Sequence, residues 1–421
     1  MVGSGAREHA LVWKLIQEAE VFVAGGNPGI SGLAECHQST PYGGLLGLVK
    51  HVEPNLVVFG PEGPLIEGEA DTLREAGFRV FGPGGVGAEL EASKAFSKRI
   101  MHEAGVPTAD FSTFDNSREA ADYAKRLFDQ GSSAVIKASG AALGKGVVVC
   151  STYEESEQAI QRMIDHEEFG AAGSTVVVEQ RLVGREFSLL TLCSAGANGI
   201  FTQSLPIAQD YKRVMDGDKG PNTGGMGSYC PVGWITDEIK QQTEEQIVRP
   251  LLQHLVNVGI EYRGVLFSGV MVQDGKAFCL EYNVRFGDPE TQSIIRRVHS
   301  GFLEALTNAA DGLPMPEVTI TDEAAVAVVL ASEGYPGTYE KGAPIVIQEV
   351  EQGVELFHGG TKEIDGKLVT SGGRVITLTA TGNDVSEARD KAYRNVSRVQ
   401  FEGMQMRTDI AKPWPADDGV Y

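Results

Sequence analysis

The N-terminal part of the chain repeats one pattern: a short apolar run, a polar glycine turn, then apolar residues at helical spacing. Met1-Val2 runs into Gly3-Ser4-Gly5-Ala6-Arg7-Glu8-His9, after which Leu11, Val12, Leu15, Ile16 and Ala19 mark a helix. Val21 to Ala24 runs into Gly25-Gly26-Asn27-Pro28-Gly29, and Leu56 to Phe59 into Gly60-Pro61-Glu62-Gly63-Pro64. A helix over Asp71 to Ala76 leads to Arg79-Val80-Phe81, closed by Gly82-Pro83. Strands alternating with helices, with polar turns at the strand ends, predict an α/β fold opening on a doubly wound parallel sheet. A glycine turn ahead of a helix exposes N–H groups and the positive end of the dipole, so it can hold a phosphate. Chain reversal alone would also account for Gly60-Pro61-Glu62. A nicotinamide site is disfavoured. Glu8 stands where GxGxxG needs its third glycine, and no acid ends the second strand. A central parallel strand runs about five residues, whereas Met1-Val2 supplies two. The expectation is that the natural chain begins upstream, or that this domain is weakened and binds its ligand poorly.

Composition narrows the classes. The 421 residues allow two to four domains, each with a core, since 42% are apolar. A net charge of −21 argues against a sequence-independent nucleic-acid binder but leaves small anions open. Five scattered cysteines without a CxxC pair fit neither a disulfide framework nor a zinc site, and suit a reducing cytoplasm. No apolar run reaches membrane-spanning length, and no signal-peptide pattern opens the chain.

Ser93-Lys94-Ala95-Phe96-Ser97-Lys98 starts a linking helix that ends at Gly105 and Pro107. A helix over Ser117 to Gln130 precedes the strand Ala134 to Ala138, the loop Ser139 to Gly146 and the strand Val147 to Cys150. This glycine-rich hairpin carries Lys145 but is no Walker A loop, because Ser139 and Gly146 break GxxxxGK[ST]. It could close over phosphates. Lys137, inside an apolar strand, needs either a phosphate or a neighbouring carboxylate. After a helix over Glu154 to Ile164, Ser174 to Glu179 and Phe187 to Cys193 read as strands joined by Glu179 to Ser188. That linker could meet an adenine edge and a ribose hydroxyl. Gln209 to Gly227 lacks an apolar period and reads as a long functional loop. A helix over Thr236 to Val258 and a strand over Gly264 to Val272 follow.

Phe278 to Gln292, FCLEYNVRFGDPETQ, carries the densest chemistry. Strand alternation puts Phe278, Leu280 and Tyr282 on one face and Cys279, Glu281 and Asn283 on the other. A carboxylate and an amide oxygen then point the same way, a pair that suits Mg²⁺ completed by water and phosphate. Arg285 beside them suits a phosphate or acyl phosphate. The structural alternative is a polar strand end. Beyond Val318 the chemistry thins. Ala325 to Ala331, Ile345 to Glu349, Val354 to His358 and Arg374 to Ala380 read as strands, and Asp384 with Glu387 opens a helix in capping-box style. His358 and Lys362 read as solvated positions.

GSGAREHA, GPEGPL, FGP, SKAFSK, GKGV, PNTGGMG and EYNVRFGDPETQ occur in one order, with GYPG and SGGRV extending the set. Together they resemble the phosphoribosylamine–glycine ligase family of ATP-grasp enzymes along essentially the whole chain. The resemblance implies a Rossmann-like substrate domain over 1–92 and an ATP-grasp domain over 93–318 with a mobile lid subdomain at about 117–183. A smaller α/β domain would cover 319–421. It implies that ATP phosphorylates the glycine carboxylate and that phosphoribosylamine attacks the glycyl phosphate. Glu281 and Asn283 would hold Mg²⁺ or Mn²⁺, and Lys94, Lys137 and Lys145, with Gly144 and Gly146, would meet ATP phosphates. Glu179, Gln180 and Leu182 would hold adenine, and Glu186 the ribose. Arg285, Gly287, Asp288, Asp210 and Arg213 would face the reacting carboxylate. Gly5, Arg7, Glu8, Asn27, Gly29, Pro61 and Glu62 would bind phosphoribosylamine. The partners implied are these small molecules, without nucleic acid or membrane. A monomer suits this reading, which leaves oligomeric state open. The family shows Asp-Gly-Leu-Ala ahead of its lid glycines, and Ser139-Gly140-Ala141-Ala142-Leu143 departs from it, so a carboxylate is lost from the lid hairpin, which bears on lid closure or nucleotide affinity. A different ATP-grasp carboxylate–amine ligase and a non-catalytic nucleotide sensor are the alternatives.

Overall fold

The computed structural model describes residues 1–140 and 146–412. Gly144 and Lys145 therefore lie outside the described residues, as does the tip of the expected lid hairpin. At the N-terminus, Val2–Gly3 pairs in parallel with Phe22–Gly25, which pairs with Glu35–His37. A bridge from Val2 to Phe59 joins them to the parallel pair Val57–Val58 and Val80–Phe81. The strand order reverses beside Val2–Gly3. The turns Gly3–Gly5 and Gly60–Glu62 thus flank the crevice where open α/β sheets bind ligands. Ala6–Leu15 starts at Gly5, whose N–H donates to Glu8 Oε2 at 2.5 Å. Gly3 and Gly60 have to be glycine, because a Cβ on either would collide with the Glu8 side chain.

The central region holds two four-stranded sheets. Phe111–Phe114, Val176–Gln180, Ala134–Ala138 and Val147–Cys150 form one, covered by the helices Ser117–Asp129 and Tyr153–Ile164 over a separate small core. Gly199–Ser204, Arg185–Gly196, Tyr262–Gln273 and Lys276–Asn283 form the other. The helix read over Thr236 to Val258 contains a π segment, Thr243–Val248. Pro250 has no N–H to return to the preceding turn, and the wider winding accommodates it.

The stretch Gln209 to Gly227 is not a structureless loop. Gln209–Asp210 and Gly227–Cys230 pair, and Arg213–Met215 with Lys219–Asn222 forms a hairpin between them. Its alternation is too short and too glycine-rich to give an apolar period. Gly227–Cys230 continues against Ala324–Ser332, so the C-terminal sheet recruits strands from the central region. Arg374–Gly382, Val354–His358 and, on Ala324–Ser332, the short strand Met404–Gln405 complete that sheet. Val385–Val396 packs on it, capped by Asp384 as the sequence suggests. The strand read over Ile345 to Glu349 shrinks to Val346–Ile347.

Arg407 locks the hairpin to the C-terminal region. It is 1% exposed, pairs with Asp218 at 2.6 Å and Asp409 at 2.7 Å, and covers the Tyr211 ring. Its guanidinium also donates to the Arg213 carbonyl at 3.1 Å. Arg407→Ala would strand two carboxylates, and we expect a loss of about 3 kcal/mol. A urea midpoint unchanged from the parent protein would contradict this locking role.

Candidate active site

The strand Lys276–Asn283 ends at the meeting point of the N-terminal turns, the lid sheet and the C-terminal sheet. Its alternation is interrupted. Gly269 faces Glu281 while Val270 faces Cys279, so Leu280 is an extra residue, a β-bulge. Ala277, Cys279, Tyr282 and Val284 consequently join the apolar core. Cys279 therefore does not share a face with Glu281, as strict alternation would require. Glu281 and Asn283 still face the same way, both half-buried. Burial would raise the Glu281 carboxyl, but Lys212, Lys137, Lys94 and Arg285 hold it below the usual carboxylate range. Two hard oxygens in a field of cations fit a divalent cation that takes its other ligands from phosphate and water. Among the described residues no cluster of three His, Cys, Asp or Glu side chains would form a complete protein cage.

Three lysines back this strand end. Lys94 Nζ lies 3.4 Å from the Gly140 carbonyl, at the root of the lid hairpin. Lys137 pairs with Glu179, so the carboxylate partner is the one the structure shows. The same carboxylate pairs with Lys98 at 2.6 Å, and all three side chains are at most 8% exposed. Burial favours a neutral Lys137, yet Glu179 overcomes it and raises the ammonium. Burial lowers the Lys98 ammonium even beside Glu179, so Lys137 is the cation the bridge favours, and it lies below the strand end where a phosphate would be neutralised. The Glu179 side chain is committed to this bridge and leaves only its backbone for an adenine edge. Gln180 donates to Ser132 at 3.1 Å, and Leu182 is half-buried. Gly146 accepts the Ala138 N–H at 2.7 Å and closes the hairpin base.

Opposite lies an acidic group. Glu186 pairs with Lys212 at 3.2 Å, and buried Glu290 accepts the Ser188 hydroxyl at 3.0 Å. Burial pushes the Asp210 carboxyl up to about 8; Lys212 opposes this, while Glu290, Glu186 and Glu281 add to it. Arg213 does not join the group. Its guanidinium donates to the Gly220 carbonyl and closes the hairpin.

Arg285 connects the two ends of the chain's chemistry. Its guanidinium lies 3.1 Å from Glu91 and 3.5 Å from Glu62, and donates to Asn283 Oδ1 at 3.3 Å. Glu62, on the turn after Pro61, thus brings an N-terminal carboxylate to the strand end. Arg7 pairs with Glu8 at 2.5 Å and donates to the Phe286 carbonyl at 3.1 Å, so Gly5, Arg7 and Glu8 border the same segment. Gly287 packs on Glu290 with no room for a side chain. Asp288 accepts from Gln292 at 2.7 Å and pairs with Arg374 at 3.0 Å. Asn27 is otherwise employed. Its Oδ1 caps a short helix at Gly29 and Ile30, and its Nδ2 donates to the carbonyls of Ser4 and His358. Gly29 packs beneath the His9 and His358 rings. His358 is therefore not a solvated residue. Burial lowers its imidazole to about 4, and its backbone N–H donates to His9 Nδ1 at 2.8 Å. Lys362 is exposed, as read.

Lys98, Glu91, Lys212, Glu290 and Arg374 escaped the sequence reading. Lys98 follows Lys94 by one helical turn, and Arg374 and Glu290 lie inside recognised motifs, so those signals were present. Glu91 carried none. The buried bridge generates a test. Glu179→Gln would leave Lys98 and Lys137 facing each other, and we expect at least about 3 kcal/mol of destabilisation of the ligand-free protein. An unchanged denaturation midpoint would return Glu179 to a nucleotide-only role.

Comparison with known proteins agrees with this geometry. The phosphoribosylglycinamide synthetase N domain matches residues 1–91, its ATP-grasp (A) domain residues 92–291 and its C domain residues 325–413. A phosphoribosylamine–glycine ligase from Rhodopirellula baltica is 40% identical, over 98% of this chain and 96% of its own. A trifunctional purine biosynthetic protein adenosine-3 from Gallus gallus is 42% identical, over 97% of this chain and 41% of its own. The crystal structure of a Thermotoga maritima phosphoribosylamine–glycine ligase is similar with a TM-score of 0.84 at 36% identity, covering 97% of this chain and 98% of that one. With all three domains matched in order and the N-terminal turns converging on an oxygen-bearing, lysine-backed strand end, the chain belongs to the phosphoribosylglycinamide synthetase family.

Proposed function

We propose that this protein is an ATP-dependent ligase joining glycine to 5-phosphoribosylamine, with glycinamide ribonucleotide, ADP and phosphate as products. This is the second step of de novo purine synthesis. The observation that carries the reading is the Arg285 junction, which sets an N-terminal carboxylate, Glu62, beside the Glu281–Asn283 pair. The domains are taken as 1–92, 93–318 and 319–421, although the pairing of Gly227–Cys230 with Ala324–Ser332 runs one sheet across the second boundary.

Lys94 and Lys137 stand where the phosphates of ATP would be neutralised, and Arg285 where charge builds on the transferring group. Positioning and charge neutralisation supply most of the catalysis in phosphoryl transfer, so no protein nucleophile is required. Glu281 and Asn283 would hold Mg²⁺ or Mn²⁺, which when bound offsets phosphate charge. A compact pocket lined by Gly287, Asp288 and Asp210 would select glycine by its size. The turns carrying Gly5, Arg7, Glu8 and Glu62 present the amine substrate from the other side. Five free thiols suit a cytoplasmic setting, and among the described residues no helix is long and apolar enough to cross a membrane.

Glu281→Ala is expected to keep the fold and reduce ADP formation at least about a hundredfold in saturating Mg²⁺. Near-parental turnover would remove Glu281 from the metal seat. Oxygen-18 placed in the glycine carboxylate should appear in released phosphate, because the acyl phosphate surrenders one oxygen when the amine attacks. Unlabelled phosphate, with the lost carboxylate oxygen found in water, would rule out the glycyl phosphate route.

A further inference from the structure

The SGGRV motif places an arginine of the C-terminal sheet against Asp288, the carboxylate that the ligase reading gives to glycine. Arg374 opens the strand Arg374–Gly382 and reaches out of its own sheet. Nη1 donates to the Gly224 carbonyl at 2.6 Å and to the Asp288 carbonyl at 2.8 Å, while Nη2 pairs with Asp288 Oδ2 at 3.0 Å. One planar fork thus fixes both the backbone and the carboxylate of Asp288, together with the turn Thr223-Gly224-Gly225. A second C-terminal residue grips the same turn, since the Gly224 N–H donates to the Tyr335 hydroxyl at 2.9 Å. Thr223 in turn bonds the Lys212 carbonyl through its N–H and its hydroxyl, at 2.7 and 2.8 Å. The clamp therefore extends to Lys212 and so to the Asp210–Glu186 group. A cavity of about 190 Å³ lies between Arg374, Asp288, Gly5 and the Gly359-Gly360 turn, so the clamp borders open space rather than solid core. Gly225 and Gly373 have no room for side chains at this junction, where Pro289 and Tyr335 press on them.

Asp288 is the carboxylate nearest this space that suits the ammonium of an amino acid. With Oδ2 held by Arg374 and Oδ1 by Gln292, its orientation is fixed before substrate arrives. Burial alone would raise the Asp288 carboxyl, yet Arg374 first and Arg7 next keep it below the usual range, hence ionised. A lysine could supply the charge but not the fork, because three acceptors at fixed positions need a planar donor set.

We infer that Arg374, with Tyr335, is a positioning residue of the glycine subsite, by which the C-terminal domain sets Asp288 and the Thr223–Gly225 turn for the amino-acid substrate. This rests on the ligase reading above. The test is steady-state kinetics of the full-length protein and of Arg374→Ala, Arg374→Lys and Tyr335→Phe, varying glycine and ATP separately. The expected result is a glycine KM raised at least about tenfold in both Arg374 variants, with the ATP KM within about twofold of the parent. Guanidinium added to Arg374→Ala should recover part of the loss, which a merely structural residue would not show. Tyr335→Phe should raise the glycine KM by a smaller factor, and it carries the test if Arg374→Ala does not fold. Parental glycine KM in the folded variants would overturn the inference, as would equal loss toward ATP without guanidinium rescue. A parent protein that releases no ADP in response to glycine would overturn the ligase reading itself, and the inference with it.

Discussion

The arrangement depends on one guanidinium held between carboxylates from different parts of the chain. Arg285 follows the metal-type strand, Glu91 precedes the linking helix, and Glu62 sits on an N-terminal turn. Burial raises the Glu91 carboxyl, so its ionised form depends on Arg285. Removing one partner of such a buried set leaves a charge without compensation, which is far worse than never having built the set. The N-terminal sheet is thereby locked onto the strand end, and the two halves of the site hold a common register.

The same logic explains how an acidic chain can serve small anions. A net charge of −21 repels polyanions over the surface. Inside, Lys94, Lys98, Lys137 and Lys212 converge on Glu281 and Glu179, where low dielectric strengthens each interaction. Lys98, Lys137 and Lys212 are paired with carboxylates of the protein, while Lys94 meets the Gly140 carbonyl and stays close enough to the strand end to serve phosphate. The bulge at Leu280 is the backbone device that makes this possible. It returns Cys279 and Tyr282 to the core while leaving Glu281 and Asn283 facing the lysines.

Much of this was legible in the sequence, and the exceptions have physical causes. The glycine turns after apolar runs located the doubly wound sheet, and the Glu-x-Asn spacing located the strand end, because both signals are local. The bulge was not legible, since period-two reasoning assumes an uninterrupted ladder. The hairpin over Arg213–Met215 and Lys219–Asn222 was missed because its strands are held by Arg407, distant in sequence, rather than by an apolar face of their own. A helix cap and a substrate contact have the same local signature, so the sequence did not show that the Asn27 side chain caps Gly29 and Ile30. His358 and Arg374 acquire their surroundings only when the C-terminal sheet docks, and no local pattern reports docking.

The central claim is that glycine is the acid activated beside Arg285 and that phosphoribosylamine is the amine that captures it. The most direct measurement is ADP release from purified protein with ATP and Mg²⁺, omitting glycine or phosphoribosylamine in turn and generating the unstable amine in the assay. The account predicts sustained release only when both are present, with larger amino acids inert in place of glycine. Release that ignores glycine, or that requires a larger amino acid instead, would contradict it.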